Sequence, residues 1–132
     1  MVTKFVGKRY KLTSSENMDA YLDAVEAADN IKALVKSVNP SIELVINGDT
    51  YTLKTITEKS TREVTFKIGE EFEQTLLDGR KIPTTITTEG NKIVEVHKAP
   101  KPSKVIREFS DDQVKISLTC DNVTAVRIYK AE

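Results

Sequence analysis

The sequence has little with which to cross-link or coordinate. Of its 132 residues one is cysteine, Cys120, and one is histidine, His97. A lone thiol forbids an internal disulfide and fits a reducing compartment. One thiol and one imidazole fall short of the ligand count of a metal site, so no metal is expected. An excess of charge of one sign is also missing. Twenty basic residues balance twenty acidic ones, which removes the broad basic surface that a nucleic-acid partner requires. No apolar run approaches the ~18 residues needed to span a bilayer. The opening "MVTKFVGKRY" lacks the apolar stretch of a secretory signal. There is no glycine-rich phosphate loop running into a helix, and no cofactor is expected. These absences point to a cytoplasmic protein, and the length to one domain spanning 1–132.

What the chain does have is a series of short alternating runs with turn signals between them. Turns are read at "NGD" (47–49), "EKST" (58–61), "IGEE" (68–71), "LDGR" (77–80), "TEGN" (88–91), "KAPKPS" (98–103), "SDDQ" (110–113) and "CDNV" (120–123). The strands predicted around them are Phe5–Thr13, Ile42–Ile46, Tyr51–Thr57, Arg62–Lys67 and Phe72–Leu76, then Lys81–Thr87, Lys92–Lys98, Lys104–Phe109, Val114–Thr119 and Thr124–Lys130. Short strands at this spacing predict an all-β barrel or sandwich, and hairpin-length links make an up-and-down meander its simplest topology. Ten strands are many for packed side chains alone to fill, and larger barrels hold cavities.

One segment has a different period. In residues 14–40, Met18, Tyr21, Leu22 and Val25 fall at i, i+3, i+4 and i+7, and Ile31, Leu34, Val35 and Val38 repeat the spacing. Two short amphipathic helices are expected over about 15–38. Ser14 or Ser15 would cap the first and Asp29 or Asn30 the second. They would cover one open end of the barrel.

The unusual residues are two arginines. Arg127 and Tyr129 share a strand face with Val123 and Ala125, and Arg107 shares one with Val105 and Phe109. The opposite faces carry Ile106 and Glu108, and Val126, Ile128 and Lys130, so alternation leaves the inner face open. Between them, Val114, Ile116, Leu118 and Cys120 form one plainly apolar face. Outward arginines would need no explanation. Inward ones would need an anion, because arginine keeps its charge and a buried unpaired charge costs several kcal/mol. A guanidinium grips a carboxylate through two parallel hydrogen bonds, and a tyrosine hydroxyl adds a third donor. The matching ligand has an acid head and a long apolar tail.

These residues resemble those of the intracellular fatty-acid-binding proteins, especially the arthropod muscle type. The resemblance covers essentially the whole chain. It rests on "FVGKRYKLTSSENMDAYL" (5–22), "FKIGEEFEQTLLDGRK" (66–81), "IREFSDDQ" (106–113) and "VTAVRIYKAE" (123–132). The last is the most specific, because the family clamp is an arginine on one strand with an Arg-x-Tyr near the C-terminus. The resemblance implies a ten-stranded antiparallel barrel of two near-orthogonal sheets under a helix-turn-helix lid. It further implies a monomeric, non-enzymatic carrier of one long-chain fatty acid. Arg107, Arg127 and Tyr129 would hold the carboxylate, with Arg107 acting directly or through water. Met18, Tyr21, Leu22 and Ile31 would meet the tail from the lid side, and Ile116 and Leu118 from the barrel.

The chain departs from the family pattern in three places. Met18 replaces an aromatic residue, "AVEAAD" (24–29) replaces a Gly-x-Gly near the helix–helix turn, and Lys59 stands where many members have phenylalanine. Alanine and glutamate favour helix, so a straighter, stiffer lid is expected. A retinoic-acid carrier shares the same head-group logic. A docking module would use Lys32 and Lys36 for transient contact with a membrane or an acidic partner. An enzyme is disfavoured, because no nucleophile–base pair is evident. His97 is read as a surface residue and "GEEFE" (69–73) as a structural hairpin.

Overall fold

The computed structural model describes residues 2–58, 60–75, 79–98 and 102–132. A 3-10 turn at Val2–Phe5 precedes β1 (Arg9–Glu16), α1 (Met18–Ala24) and α2 (Asp29–Ser37). Nine strands follow: β2 (Ser41–Asn47), β3 (Thr50–Ile56), β4 (Thr61–Lys67), β5 (Phe72–Thr75), β6 (Lys81–Glu89), β7 (Lys92–His97), β8 (Ser103–Phe109), β9 (Gln113–Cys120) and β10 (Val123–Ala131). All ladders are antiparallel, in the order β4-β3-β2-β1-β10-β9-β8-β7-β6-β5. The meander expected from the spacing is therefore present, with β1 joining the C-terminal strand β10. Lys59, Leu76, and parts of the turns read at 77–80 and 98–103, lie outside the described residues.

The sheet curls into a nearly closed barrel. Among the described residues no ladder joins β4 to β5, the two edges. Side chains bridge them instead. Phe66 stacks between Tyr51 and Phe72, with centroids 5.8 and 6.4 Å away. Arg62 Nη2 donates to the Thr75 carbonyl at 2.6 Å. Bridging by side chains leaves the edge amides free of a fixed ladder, so this seam is held more loosely than the rest of the barrel.

The N-terminal turn closes one end. Val2 N–H donates to the Gly90 carbonyl at 3.1 Å, and Val2 and Phe5 are buried. Phe5 stacks on Phe109 at 5.9 Å, and Tyr10 meets Phe109 edge-on at 6.0 Å. The first strand was expected to begin at Phe5. It begins at Arg9 because Gly7, at φ 83, turns the chain first and donates to the Leu44 carbonyl.

The helices cover the opposite end, with corrections to their expected limits and caps. Ser14 and Ser15 belong to β1, where they pair with Ile128 and Arg127. The residue before α1 is Asn17, in the left-handed region at φ 62, and its side chain donates instead to the Thr124 carbonyl. Ala28, not Asp29 or Asn30, precedes α2, and Asp29 is its first residue. The lid is not a straighter helix. Ala27 N–H donates to the Leu22 carbonyl at 2.9 Å and Glu26 N–H to the Asp23 carbonyl at 3.1 Å, with Glu26 at φ 60. That is a Schellman stop made without the usual glycine. Tertiary packing of Tyr21 and Leu22 against Cys120 and Ala125 sets where the helix ends, overriding the local preference of Ala and Glu.

Candidate functional site

The register across β10, β9, β8 and β7 settles which faces point inward. Ile116 lies opposite Arg127 on one side and Arg107 on the other, and Arg107 lies opposite Ile93. Val114 sits between Tyr129 and Phe109, and Leu118 between Ala125 and Val105. Since Val114, Ile116, Ile93, Val105, Phe109 and Tyr129 are all buried, this shared face is the interior. Both arginines rise from it. Antiparallel neighbours directly opposite one another point to the same side, so the unambiguous strand β9 fixes the two ambiguous strands flanking it.

The two arginines are in different situations. Arg107 Nη1 donates to Glu95 Oε1 at 2.8 Å. Glu95, 3% exposed, also accepts from His97 Nε2 through its other oxygen, and His97 Nδ1 meets Ser103 Oγ at 2.7 Å. Burial alone would raise the Glu95 pKa. The Arg107 charge and the His97 ring outweigh it and hold the carboxyl at about 2, so Glu95 is ionised at neutral pH. Arg127 contrasts with this. Its Nε is buried with no hydrogen-bond partner, and its guanidinium carbon sits 5.8 Å from the Tyr129 ring centroid. Burial pushes the Tyr129 hydroxyl up, while Arg127 and Arg107 both pull it down, so the phenol lies within the field of both cations. Arg62 adds a third inner cation. Burial and then the like charge of Arg107 lower its pKa, and Glu95 opposes them.

Reading the sequence missed Glu95, His97 and Arg62. His97 was expected at the surface and is 8% exposed. On β7 the interior face is Ile93, Glu95 and His97, while Val96 is 38% exposed. A carboxylate and an imidazole stay buried there because each satisfies the other, with Arg107 and Ser103 completing the set. No local signal marked them, because the opposite face of β7 carries Val94 and Val96 and is the more apolar of the two by pattern.

Ser103, His97 and Glu95 also make a hydrogen-bonded line of nucleophile, base and acid types, which the sequence did not reveal. Ser103 lies between His97 on β7 and Cys120 on β9, so backbone pairing surrounds it on both sides. Amides used in ladders are not free to stabilise an oxyanion, usually the largest electrostatic contribution to acyl transfer. Among the described residues, no group of three or more His, Cys, Asp or Glu side chains gathers to hold a metal ion.

Of the lid residues, Tyr21 and Leu22 are buried against Cys120 and Ala125, and Met18 packs beside them. Burial raises the Tyr21 hydroxyl pKa, opposed by a hydrogen bond with Ser103. Ile116 belongs to the main barrel cluster, and Leu118 touches both that cluster and the lid cluster. Ile31 is half-buried and packs against neither cluster. Indeed α2 has no fully buried residue, and Leu34 is 43% exposed. A groove of about 610 Å³ opens beside it, lined by Leu34, Val38, Ile56 and Thr57. Lys32 pairs with Asp23, and Lys36 with Asp19 at 2.9 Å, so both lysines are engaged with carboxylates of α1.

Fold and site together define a lidded ten-stranded β-barrel whose apolar interior holds a cationic centre. The sequence matches the lipocalin / cytosolic fatty-acid binding protein family over residues 6–132, and the chain belongs to that family. It is 40% identical to a muscle fatty-acid-binding protein of Schistocerca gregaria, covering 100% of both chains. Among solved structures it is similar to a fatty-acid-binding protein from brain tissue of Drosophila melanogaster, with 42% identity, a TM-score of 0.91, and 96% of this chain and 99% of that one covered. It is also similar to a Schistosoma mansoni fatty-acid-binding protein in complex with arachidonic acid, with 28% identity, a TM-score of 0.91, and 99% and 98% covered.

Proposed function

We propose that the protein is a cytoplasmic, monomeric, non-enzymatic carrier that binds one long-chain fatty acid inside the barrel. Residues 1–132 form one lipid-binding domain, with α1 and α2 as its lid. The carboxylate meets Arg127 and Tyr129, with Arg107 on the same inner face two strands away. The tail runs along Ile116 and Leu118 towards Met18, Tyr21, Leu22 and Ile31. The observation that carries this reading is the buried, unpartnered Nε of Arg127, beside the buried Ile116 and Tyr129. A buried donor without a partner is costly, and a ligand carboxylate would complete it. Relatives named as fatty-acid-binding proteins support the ligand class. Each buried methylene adds about 0.8 kcal/mol, so the tail supplies most of the affinity and the head group its orientation.

Titration calorimetry of delipidated protein with oleate and with oleyl alcohol tests the reading. Oleate is expected to bind one-to-one, and the alcohol at least about tenfold more weakly, the scale of a charge-assisted hydrogen bond. Equal affinities would mean that the arginines do not read the head group. A retinoic-acid arm separates the two carboxylate ligands by tail shape.

A further inference from the structure

The barrel carries a carboxylate of its own beside the site where it is to receive one. Glu95 lies opposite Val105, and Arg107 opposite Ile93, so the two are diagonal neighbours on adjacent strands. The pair is buried and joined at 2.8 Å. The second Glu95 oxygen is held by His97, itself fixed by Ser103, which aims the first oxygen at Arg107. Arg127 stands two strands from Arg107, roughly 10 Å away at the backbone, and among the described residues no carboxylate pairs with it. The described interior thus has one cation already matched and another with an open donor.

We propose that Glu95, oriented by His97, is a specificity-determining positioning residue. As a built-in counter-ion it occupies Arg107, so that the ligand carboxylate is read by Arg127 and Tyr129. This rests on the fatty-acid reading above and deepens it. Glu95 offsets the Arg107 charge and repels any anion that approaches the pair, so Arg107 attracts a second carboxylate only weakly. The barrel is thereby set for a single monoanionic head group. Without Glu95, Arg107 would join Arg127 as a second receptor, and a larger or doubly charged head would be admitted.

Calorimetry with oleate on Arg107→Gln, Arg127→Gln, Glu95→Gln and the double variant Glu95→Gln/Arg107→Gln tests this, with octadecanedioate as a dianionic probe. Arg127→Gln should lose about tenfold or more in oleate affinity, whereas removing both partners of the pair, in Glu95→Gln/Arg107→Gln, should cost less than about threefold. In the Glu95→Gln background oleate should bind several-fold tighter, and adding Arg107→Gln should then cost about tenfold. Octadecanedioate should gain most from Glu95→Gln, and Glu95→Asp should restore the original pattern. If the double variant Glu95→Gln/Arg107→Gln binds oleate as weakly as Arg127→Gln, the proposal is overturned, even with oleate still preferred over oleyl alcohol. That last preference reports on the fatty-acid reading separately. Should Glu95→Gln fail to fold, the double variant, which removes both charges of the pair, still decides when compared with Arg127→Gln.

Discussion

Arg107 and Glu95 form a buried ion pair at 2.8 Å on neighbouring strands inside the barrel, and His97 holds the same carboxylate from its other side. Two charges are costly to bury, and their mutual attraction offsets that only when the remaining polar atoms are also satisfied. Here the second Glu95 oxygen is held by His97, and His97 in turn by Ser103.

The pair makes stability depend on pH at the acid end. The Glu95 pKa is lowered to about 2 in the folded protein, from 4.5. A depressed folded pKa stabilises the fold above the unfolded value and stops doing so as pH falls through the folded one. Unfolding free energy from urea titrations should therefore drop by about 3 kcal/mol between pH 5 and pH 2 on account of this group. Glu95→Gln should flatten that part of the profile. An unchanged slope in the variant would show that other carboxylates carry it.

A second expectation concerns the stop at the end of α1. Glu26 holds φ 60, where a Cβ is strained by roughly 1–2 kcal/mol. Glu26→Gly should relieve part of this and raise stability by about 1 kcal/mol, read as a higher unfolding temperature. Glu26→Val should lower it. A destabilised glycine variant would show that the contacts of the glutamate side chain outweigh the strain.

The ion pairs between α1 and α2 should govern how readily the lid moves. Neither Lys32 nor Lys36 is deeply buried, and α2 has no buried residue to anchor it. The hydrogen bond to Asp23 raises the Lys32 pKa, so this link persists throughout the neutral range. Exposed pairs weaken with salt. Stopped-flow uptake of a fluorescent fatty acid should speed up modestly as salt rises. Asp19→Asn/Asp23→Asn should be faster from the start and insensitive to salt. Equal salt dependence in both proteins would place the slow step elsewhere, for instance at the groove between Leu34 and Ile56.

Most of the architecture was legible in the sequence. Ten alternating runs with turn residues between them dictate a meander, because period-2 patterning and short links leave few other topologies. Met18, Tyr21 and Leu22 at helical spacing marked the lid face that is in fact packed against Cys120 and Ala125. The C-terminal Arg127 and Tyr129 stood out because a cation on a part-apolar face must be matched by an anion if that face turns inward. Sequence could not say which way that face pointed. The ladder with β9 did, since residues opposite one another share a side and Ile116 is buried between the two arginines.

The tertiary structure alone decided the charges. On β7 alternation by itself would favour Val94 and Val96 inside. The register instead buries Glu95 and His97 and leaves Val96 exposed, because Arg107 and Ser103, on the neighbouring strand, are there to satisfy them. Likewise, nothing local to "AVEAAD" (24–29) calls for a break, yet packing onto the barrel ends the helix and forces a glutamate into the left-handed region. Patterns along the chain determine which elements form. Which polar groups survive burial depends on partners distant in sequence, and only the folded chain brings those together.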